Sequence, residues 1–123
     1  MSKKILLIED EEALQETMAE YLTDEKFKVF SAMDGQSGLE MAQKNLPDLI
    51  ILDVILPKMD GFQVLEGIKK DDKTKNIPII MLTNLENMEN IQKAFENGAS
   101  AYLIKADFKL EDVVKKIKET LKM

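Results

Sequence analysis

Cysteine, histidine, tryptophan and arginine are all absent from the 123-residue sequence. Without cysteine there are no disulfide bonds or thiolate zinc sites, and without histidine there are no histidine metal ligands or histidine-based catalytic triads. The missing arginine removes the side chain that grips phosphates and guanine bases with two parallel hydrogen bonds. Any chemistry must therefore come from carboxylate, lysine, threonine or tyrosine side chains.

The charge balance is acidic, with 17 lysines against 23 acidic residues and a formal net charge of −6. Because nucleic acids are polyanions, this balance disfavours direct binding to DNA or RNA. No apolar run approaches the roughly 20 residues of a membrane span, and the run near the N-terminus is too short for a signal peptide. We therefore expect a cytoplasmic protein without membrane contact, folded as a single domain over residues 1–123.

Five apolar clusters of strand length recur at residues 5–8, 27–32, 49–52, 77–82 and 101–104. Most are continuous, as in parallel strands covered on both faces, whereas lysines interrupt the second, which we expect at the sheet edge. Three other stretches repeat apolar residues with helical spacing: Leu14, Met18, Tyr21 and Leu22; Ile91, Ala94 and Phe95; and Leu110, Val113, Val114, Ile117 and Leu121. This alternation predicts an α/β protein with a parallel sheet wrapped by helices.

Polar residues follow the predicted strands: Glu9, Asp10, Glu11 and Glu12 after the first, Asp53 after the third, Thr83 after the fourth and Lys105 after the fifth. Ligands of such sheets bind beyond the carboxyl ends of the strands. Two carboxylates about 4 Å apart repel by roughly 4 kcal/mol at an effective dielectric of 20, and a divalent cation would relieve this repulsion. Hard oxygen ligands predict Mg²⁺, and Lys105 would supply a second positive charge.

Each of these residues also has an ordinary structural explanation. Asp10 suits a helix N-terminus, Asp53 a turn, Thr83 a helix cap and Lys105 a solvent-exposed lysine. Tyr102 could be a half-buried core residue with its hydroxyl in water. The joint placement of the polar residues at the same end of successive strands favours a functional explanation.

Four motifs occur in order along the chain: "LLIEDEE", "IILDVILPKMDGFQVL", "PIIMLT" and "GASAYLIKADF". Together they resemble the receiver domain of two-component response regulators, in size the stand-alone chemotaxis type, from Lys4 to about Leu121. The resemblance implies a flavodoxin-like (βα)5 fold, with a five-stranded parallel sheet of order 2-1-3-4-5 and helices on both faces.

The resemblance also implies the chemistry of the site. Asp53 would accept a phosphoryl group from the phosphohistidine of a sensor histidine kinase or phosphotransfer protein. Asp10, Asp53 and the backbone carbonyl of Ile55 would hold Mg²⁺, and Glu9 would reach the ion through a water molecule. Such a domain would be a signalling phosphoprotein rather than an enzyme, although it assists its own phosphorylation and slow dephosphorylation.

A switch in conformation is the implied output. Lys105 would pair with one phosphoryl oxygen, Thr83 would hydrogen-bond another, and Tyr102 would follow Thr83 inward. The population would shift between inactive and active forms of a face made of residues 87–97, Tyr102 and the helix from Leu110. A downstream protein target would contact that face.

The chain departs from the family pattern at four places, one of which is Glu9, a common variant of the first acidic residue that still suits a metal site. Ala106 replaces the proline that usually follows the lysine in a cis peptide, which leaves the geometry of that loop open. Phe108 stands one residue beyond the usual loop aromatic, and Asn84 follows Thr83 where a small residue is common. None of these departures removes a group that the site needs.

Three alternatives stay open. A Mg²⁺-dependent phosphohydrolase of the haloacid dehalogenase type uses an aspartyl nucleophile, but it needs an acid–base Asp at the position of Ile55. A flavodoxin would need a phosphate loop rich in Ser, Thr and Gly, whereas "EDEEALQ" would repel phosphate. The third is a degenerate receiver used only for binding, or a receiver cut from a longer regulator; the intact Asp53, Thr83 and Lys105 disfavour degeneracy.

Overall fold

The computed structural model describes residues 2–123, within which five strands alternate with five α-helices. A short 3-10 helix precedes the fifth α-helix. In chain order the elements are β1 (Lys4–Ile8), α1 (Glu12–Asp24), β2 (Lys28–Ala32), α2 (Gly35–Asn45), β3 (Leu49–Leu52), α3 (Gly61–Lys70), β4 (Ile79–Thr83), α4 (Met88–Glu96), β5 (Ala101–Ile104), the 3-10 helix (Lys105–Asp107) and α5 (Leu110–Leu121). The predicted α/β class is confirmed.

All five strands form one parallel sheet of order β2-β1-β3-β4-β5. The implied order is therefore confirmed, and the lysine-interrupted strand lies at the edge as predicted. Ile8 lies opposite Ala32 on one side and opposite Leu52 on the other. Because the order of strands reverses around β1 and β3, a crevice opens beyond their carboxyl ends.

Both faces of the sheet are covered, which explains why its strands read as continuous apolar runs. One set of strand residues, including Ile5, Leu7 and Ile51, packs against α1 and α5. The alternate set, including Leu6 and Ile50, packs against α2, α3 and α4. The central strands are therefore packed between helices on both sides. This packing holds their carboxyl ends, and the residues that follow them, in place.

The observed boundaries differ slightly from the predicted ones. β2 begins at Lys28 and β4 at Ile79, one and two residues later than the apolar patterns indicated. Pro78 cannot donate a backbone hydrogen bond, which favours a strand that starts after it. On α4 the pattern also misled: Ala94 is buried, but Phe95 is 48% exposed because that helix turns this side chain away from the sheet.

Asn87 is the N-cap residue of α4, and its side chain accepts a hydrogen bond from the N–H of Asn90 at 2.9 Å. The idea that Thr83 caps this helix is therefore wrong. Within residues 2–123, no helix has the length and apolar character needed to cross a bilayer.

Candidate functional site

A cleft of about 300 Å³ opens at the carboxyl ends of the strands. It is lined by the last residue of β4 and by residues from the segments that follow β1, β3, β4 and β5: Asp10, Glu11, Asp53, Ile55, Thr83, Asn84 and Lys105. Parallel pairing brings these segments to one edge although they are far apart in the sequence. Most residues of the predicted site meet in this cleft.

Lys105 lies at the centre of the charged groups. Its Nζ is 2.7 Å from Oδ2 of Asp53, 2.7 Å from Oε1 of Glu9 and 3.5 Å from Oε1 of Glu11. The contact with Asp53 is a hydrogen bond, and the contacts with Glu9 and Glu11 are ion pairs. The Lys105 side chain is only 11% exposed, and the alternative of a solvent-exposed lysine is therefore wrong.

The buried charges shift two pKa values in the same direction for different reasons. Burial disfavours the ammonium of Lys105, but hydrogen bonds to Asp53 and Glu9 and their negative charges outweigh it and raise its pKa. Burial is also the largest influence on Glu9, and it raises the pKa of that carboxyl against the opposing effect of Lys105. Lys105 therefore remains a cation at neutral pH.

Both oxygens of Asp53 are held. The backbone N–H of Ile55 donates to Oδ1 at 3.2 Å, and Lys105 donates to Oδ2. Asp53 directly follows β3, and its own N–H continues the sheet ladder to the carbonyl of Ile8 at 3.1 Å. A buried carboxylate is costly unless it is paired, and Lys105 compensates this one.

Three carboxylates form a group that fits a divalent cation. Glu9, Asp10 and Asp53 each offer an oxygen, and these oxygens lie within 4.8 Å of one another. Glu9 and Asp53 are buried while Asp10 is exposed, so the group is open to water on one side. Oxygen donors of this kind suit Mg²⁺, which usually keeps several waters.

Thr83 and Tyr102 both contact the backbone of Leu85, which follows β4. The hydroxyl of buried Thr83 accepts a long hydrogen bond of 3.5 Å from the N–H of Leu85, and the Tyr102 hydroxyl donates to its carbonyl at 2.7 Å. The Tyr102 hydroxyl is thus bonded to the protein backbone. Burial, with the charge of Asp53, raises the pKa of Tyr102. Unlike Thr83, Tyr102 does not line the cleft.

Gln15 supports the acidic segment, and sequence reasoning missed it. Its side-chain amide donates to the carbonyls of Glu9, at 3.0 Å, and Ala32, at 2.9 Å. The amide thus fixes the ends of β1 and β2 relative to each other. A polar residue beside the apolar positions of α1 was the available signal.

Gly35 is a second residue that sequence reasoning missed. Its N–H donates to the carbonyl of Pro57 at 3.3 Å, and a Cβ at this position would lie 1.7 Å from the carbonyl oxygen of Met59. The segment between β3 and α3 therefore rests directly on the start of α2. Only a glycine permits this approach.

The loop after Lys105 is regular despite Ala106. Residues 2–123 contain no cis peptide bond, so the Lys105–Ala106 peptide is trans. Phe108 is partly exposed and lines a separate apolar cleft of about 250 Å³ between α1 and α5. Asn84 lies in the site cleft, beside the groups described above.

Comparison with known proteins shows similarity over most of the chain. Residues 5–118 match the family model described as "Response regulator receiver domain". Response regulator PleD of Caulobacter vibrioides is 42% identical over 105 residues, which are 85% of this chain and 23% of PleD. The DNA-binding dual master transcriptional regulator RpaA of Synechocystis sp. is 35% identical over 119 residues, which are 97% of this chain and 49% of RpaA.

Among solved structures, chemotaxis protein CheY4 of Vibrio cholerae superposes with a TM-score of 0.90 and 31% identity. That alignment covers 97% of this chain and 98% of CheY4. The chain thus has the size of CheY4, but it spans only about a quarter to a half of the curated relatives it matches.

Proposed function

The chain belongs to the response regulator receiver domain family, and from this membership and the site geometry we propose that Asp53 accepts a phosphoryl group in a signalling switch. Receiver domains take phosphoryl groups from histidine kinases and act on downstream targets. The observation that carries the proposal is the convergence of Glu9, Asp10 and Asp53 within 4.8 Å, beside the ammonium of Lys105.

In the proposed reaction, a carboxylate oxygen of Asp53 attacks the phosphorus atom of a phosphohistidine. The new bond joins phosphorus to this oxygen, while the bond from phosphorus to the histidine nitrogen breaks and its electron pair stays on the nitrogen. The Ile55 N–H orients the carboxylate, and Lys105 stabilises negative charge on the transferring oxygens. In phosphoryl transfer most of the catalysis comes from such positioning and charge stabilisation.

Glu9, Asp10, Asp53 and the backbone carbonyl of Ile55 would hold Mg²⁺, with Glu9 acting through a water molecule. The bound ion would neutralise charge on the phosphoryl oxygens and on the crowded carboxylates. The protein's own contribution is to keep the oxygens close together: Gln15 anchors the first acidic segment, and Gly35 supports the segment after Asp53.

The switch would operate through Leu85. A phosphoryl group on Asp53 offers the Thr83 hydroxyl a stronger acceptor, and movement of Thr83 disturbs the Leu85 backbone that the Tyr102 hydroxyl contacts. The output would be a population shift of the α4-β5-α5 face, where Met88 is 73% and Phe95 is 48% exposed. A downstream protein target would bind to that face.

The remaining expectations complete the proposal. A cytoplasmic location, absence of direct binding to nucleic acid or membranes, and a single receiver domain over residues 1–123 agree with the composition. A receiver within a longer regulator would use the same site. The phosphohydrolase alternative is weaker because the apolar Ile55 side chain cannot activate water.

The decisive test is intact mass spectrometry after incubation with acetyl phosphate and Mg²⁺. We expect one phosphoryl adduct on the wild type and none on Asp53→Asn. Asp72→Asn, which removes the same charge from an exposed residue outside the cleft, should be phosphorylated as the wild type. An adduct on Asp53→Asn would contradict the assignment, and repeated turnover of a phosphomonoester would favour the phosphohydrolase.

A further inference from the structure

Three carboxylates surround the ammonium of Lys105 before any phosphoryl group arrives. Its Nζ donates to Asp53 at 2.7 Å, and it forms ion pairs with Glu9 at 2.7 Å and with Glu11 at 3.5 Å. Under the proposed function, on which this inference rests, a phosphoryl oxygen must obtain a donor from Lys105. One of the present partners therefore has to give way.

Glu9 is poorly suited to leave. Its carboxylate is buried, and the oxygen that does not face Lys105 accepts a hydrogen bond of 3.0 Å from the backbone N–H of Glu11. Asp53 is the acceptor itself and stays in place. The side chain of Glu11 is 62% exposed and makes the longest of the three contacts, so it can turn into water at little cost.

We propose that the Glu11 carboxylate competes with the incoming phosphoryl group for Lys105 and thereby sets how fast Asp53 is phosphorylated. Glu11 occupies the N-cap position of α1, yet its side chain makes no capping hydrogen bond and lines the cleft instead. In the unphosphorylated form it pairs with the ammonium of Lys105 from the exposed side of the cleft. On phosphorylation it yields its place beside the ammonium to a phosphoryl oxygen.

Three variants separate this contact from a general effect of charge. Glu11→Gln removes both the charge and the ion pair. Glu12→Gln removes the same charge at the neighbouring residue, which does not line the cleft. Glu11→Asp keeps the charge but shortens the side chain, and Asp at an N-cap bonds readily to the helix N–H groups, which draws it away from Lys105.

The measurements are the second-order rate of phosphorylation by acetyl phosphate, from intact mass against time, and the beryllofluoride concentration that half-saturates binding in Mg²⁺. We expect Glu11→Gln to be phosphorylated about two- to fivefold faster than Glu12→Gln. Glu11→Asp should be faster than the wild type by the same factor. This factor corresponds to the free energy that an exposed ion pair contributes. Beryllofluoride should bind more tightly by a similar factor.

Other outcomes would overturn the proposal. If Glu11→Asp behaves as the wild type while Glu11→Gln and Glu12→Gln are equally fast, net charge rather than the contact governs the rate. If neither Glu11 variant changes rate or affinity, the competition does not exist, although phosphorylation of the wild type would still support the proposed function. A wild type that takes no phosphoryl group would refute both.

Discussion

Lys105 and Asp53 stand 52 residues apart in the sequence, yet the lysine nitrogen lies 2.7 Å from a carboxylate oxygen of Asp53. Asp53 follows β3 and Lys105 follows β5, and β4 lies between these strands in the sheet. The lysine side chain therefore reaches across the end of one strand to meet the carboxylate. The contact both compensates a buried charge and places a cation where a phosphoryl group would arrive.

Replacing Lys105 by Met should slow phosphorylation of Asp53 by acetyl phosphate by about 10²-fold, the usual cost of losing one preorganised charge-stabilising donor. The rate is measured by intact mass against time, with circular dichroism to check the fold. Lys109→Met removes the same charge from a nearby residue without an ion pair to the cleft and should leave the rate nearly unchanged. Equal rates in both variants would contradict the role of Lys105.

Magnesium should stabilise the folded protein. A ligand that binds only the native state adds about 2.7 kcal/mol at 100 times its dissociation constant, so saturating Mg²⁺ should raise the melting temperature. Asp10→Asn should abolish this rise and, in EDTA, should melt above the wild type because one of three crowded carboxylates is neutralised. Glu12→Gln is the matched control. A full Mg²⁺ shift in Asp10→Asn would exclude Asp10 as a ligand.

Gly35→Ala should reduce both stability and phosphorylation. The new Cβ would meet the Met59 carbonyl, which is backbone, so the segment carrying the Ile55 N–H must move. We expect a loss of about 1–3 kcal/mol in urea unfolding, typical of overpacking, together with slower phosphorylation.

Gly67→Ala provides the comparison for Gly35→Ala. Its Cβ would lie 2.9 Å from Cδ2 of Leu39, the end of a flexible side chain, and alanine gains up to about 1 kcal/mol of helix propensity over glycine. Gly67→Ala should therefore be near neutral in both assays. Equal effects of the two substitutions would show that the contact with Met59 is unimportant.

Asp34 should stabilise the fold in a pH-dependent way. Hydrogen bonds from the N–H of Ser37, and then from its hydroxyl, lower the pKa of Asp34 below 3.8, with help from the charge of Lys58. Because the folded pKa is the lower one, this stabilisation is complete above pH 3.8 and is lost as the pH falls through the folded pKa.

The measurement for Asp34 is the difference in unfolding free energy between the wild type and Asp34→Asn. It should be constant from neutral pH to about pH 5 and should shrink below pH 3.8. Asn retains a capping oxygen but does not titrate in this range. A difference that stays constant down to the lowest pH at which the protein remains folded would contradict the shift.

The alternation of strands and helices followed from the sequence because strands covered on both faces leave continuous apolar runs. The strand order did not follow from that pattern; it came from the resemblance. Helix α2 left almost no apolar pattern, since its buried residues are Gly35, Gly38 and Ala42. Small side chains allow the helix backbone to approach its neighbours closely and so become buried. A hydropathy pattern does not show this kind of burial.

At the site, the sequence indicated which residues gather but not how they bond. Asp53 and Lys105 were recognisable because each directly follows a buried strand. The contacts of Gln15 with Ala32 and of Tyr102 with Leu85 each join residues that are 17 apart in the sequence. They depend on the conformation of the loops that follow the strands, which the sequence pattern does not give. The Glu11 contact depends on the conformation of one exposed side chain.

The position of Lys105 after β5 also bears on how the nascent chain matures. Parallel strands pair only after the connecting helix has crossed over, so the sheet assembles through non-local contacts and comparatively slowly. Until β5 docks beside β4, Lys105 is not held next to Asp53. An incompletely folded chain would thus present the Asp53 carboxylate to a kinase without the Lys105 cation. The ability to accept a phosphoryl group would then indicate that the chain has finished folding.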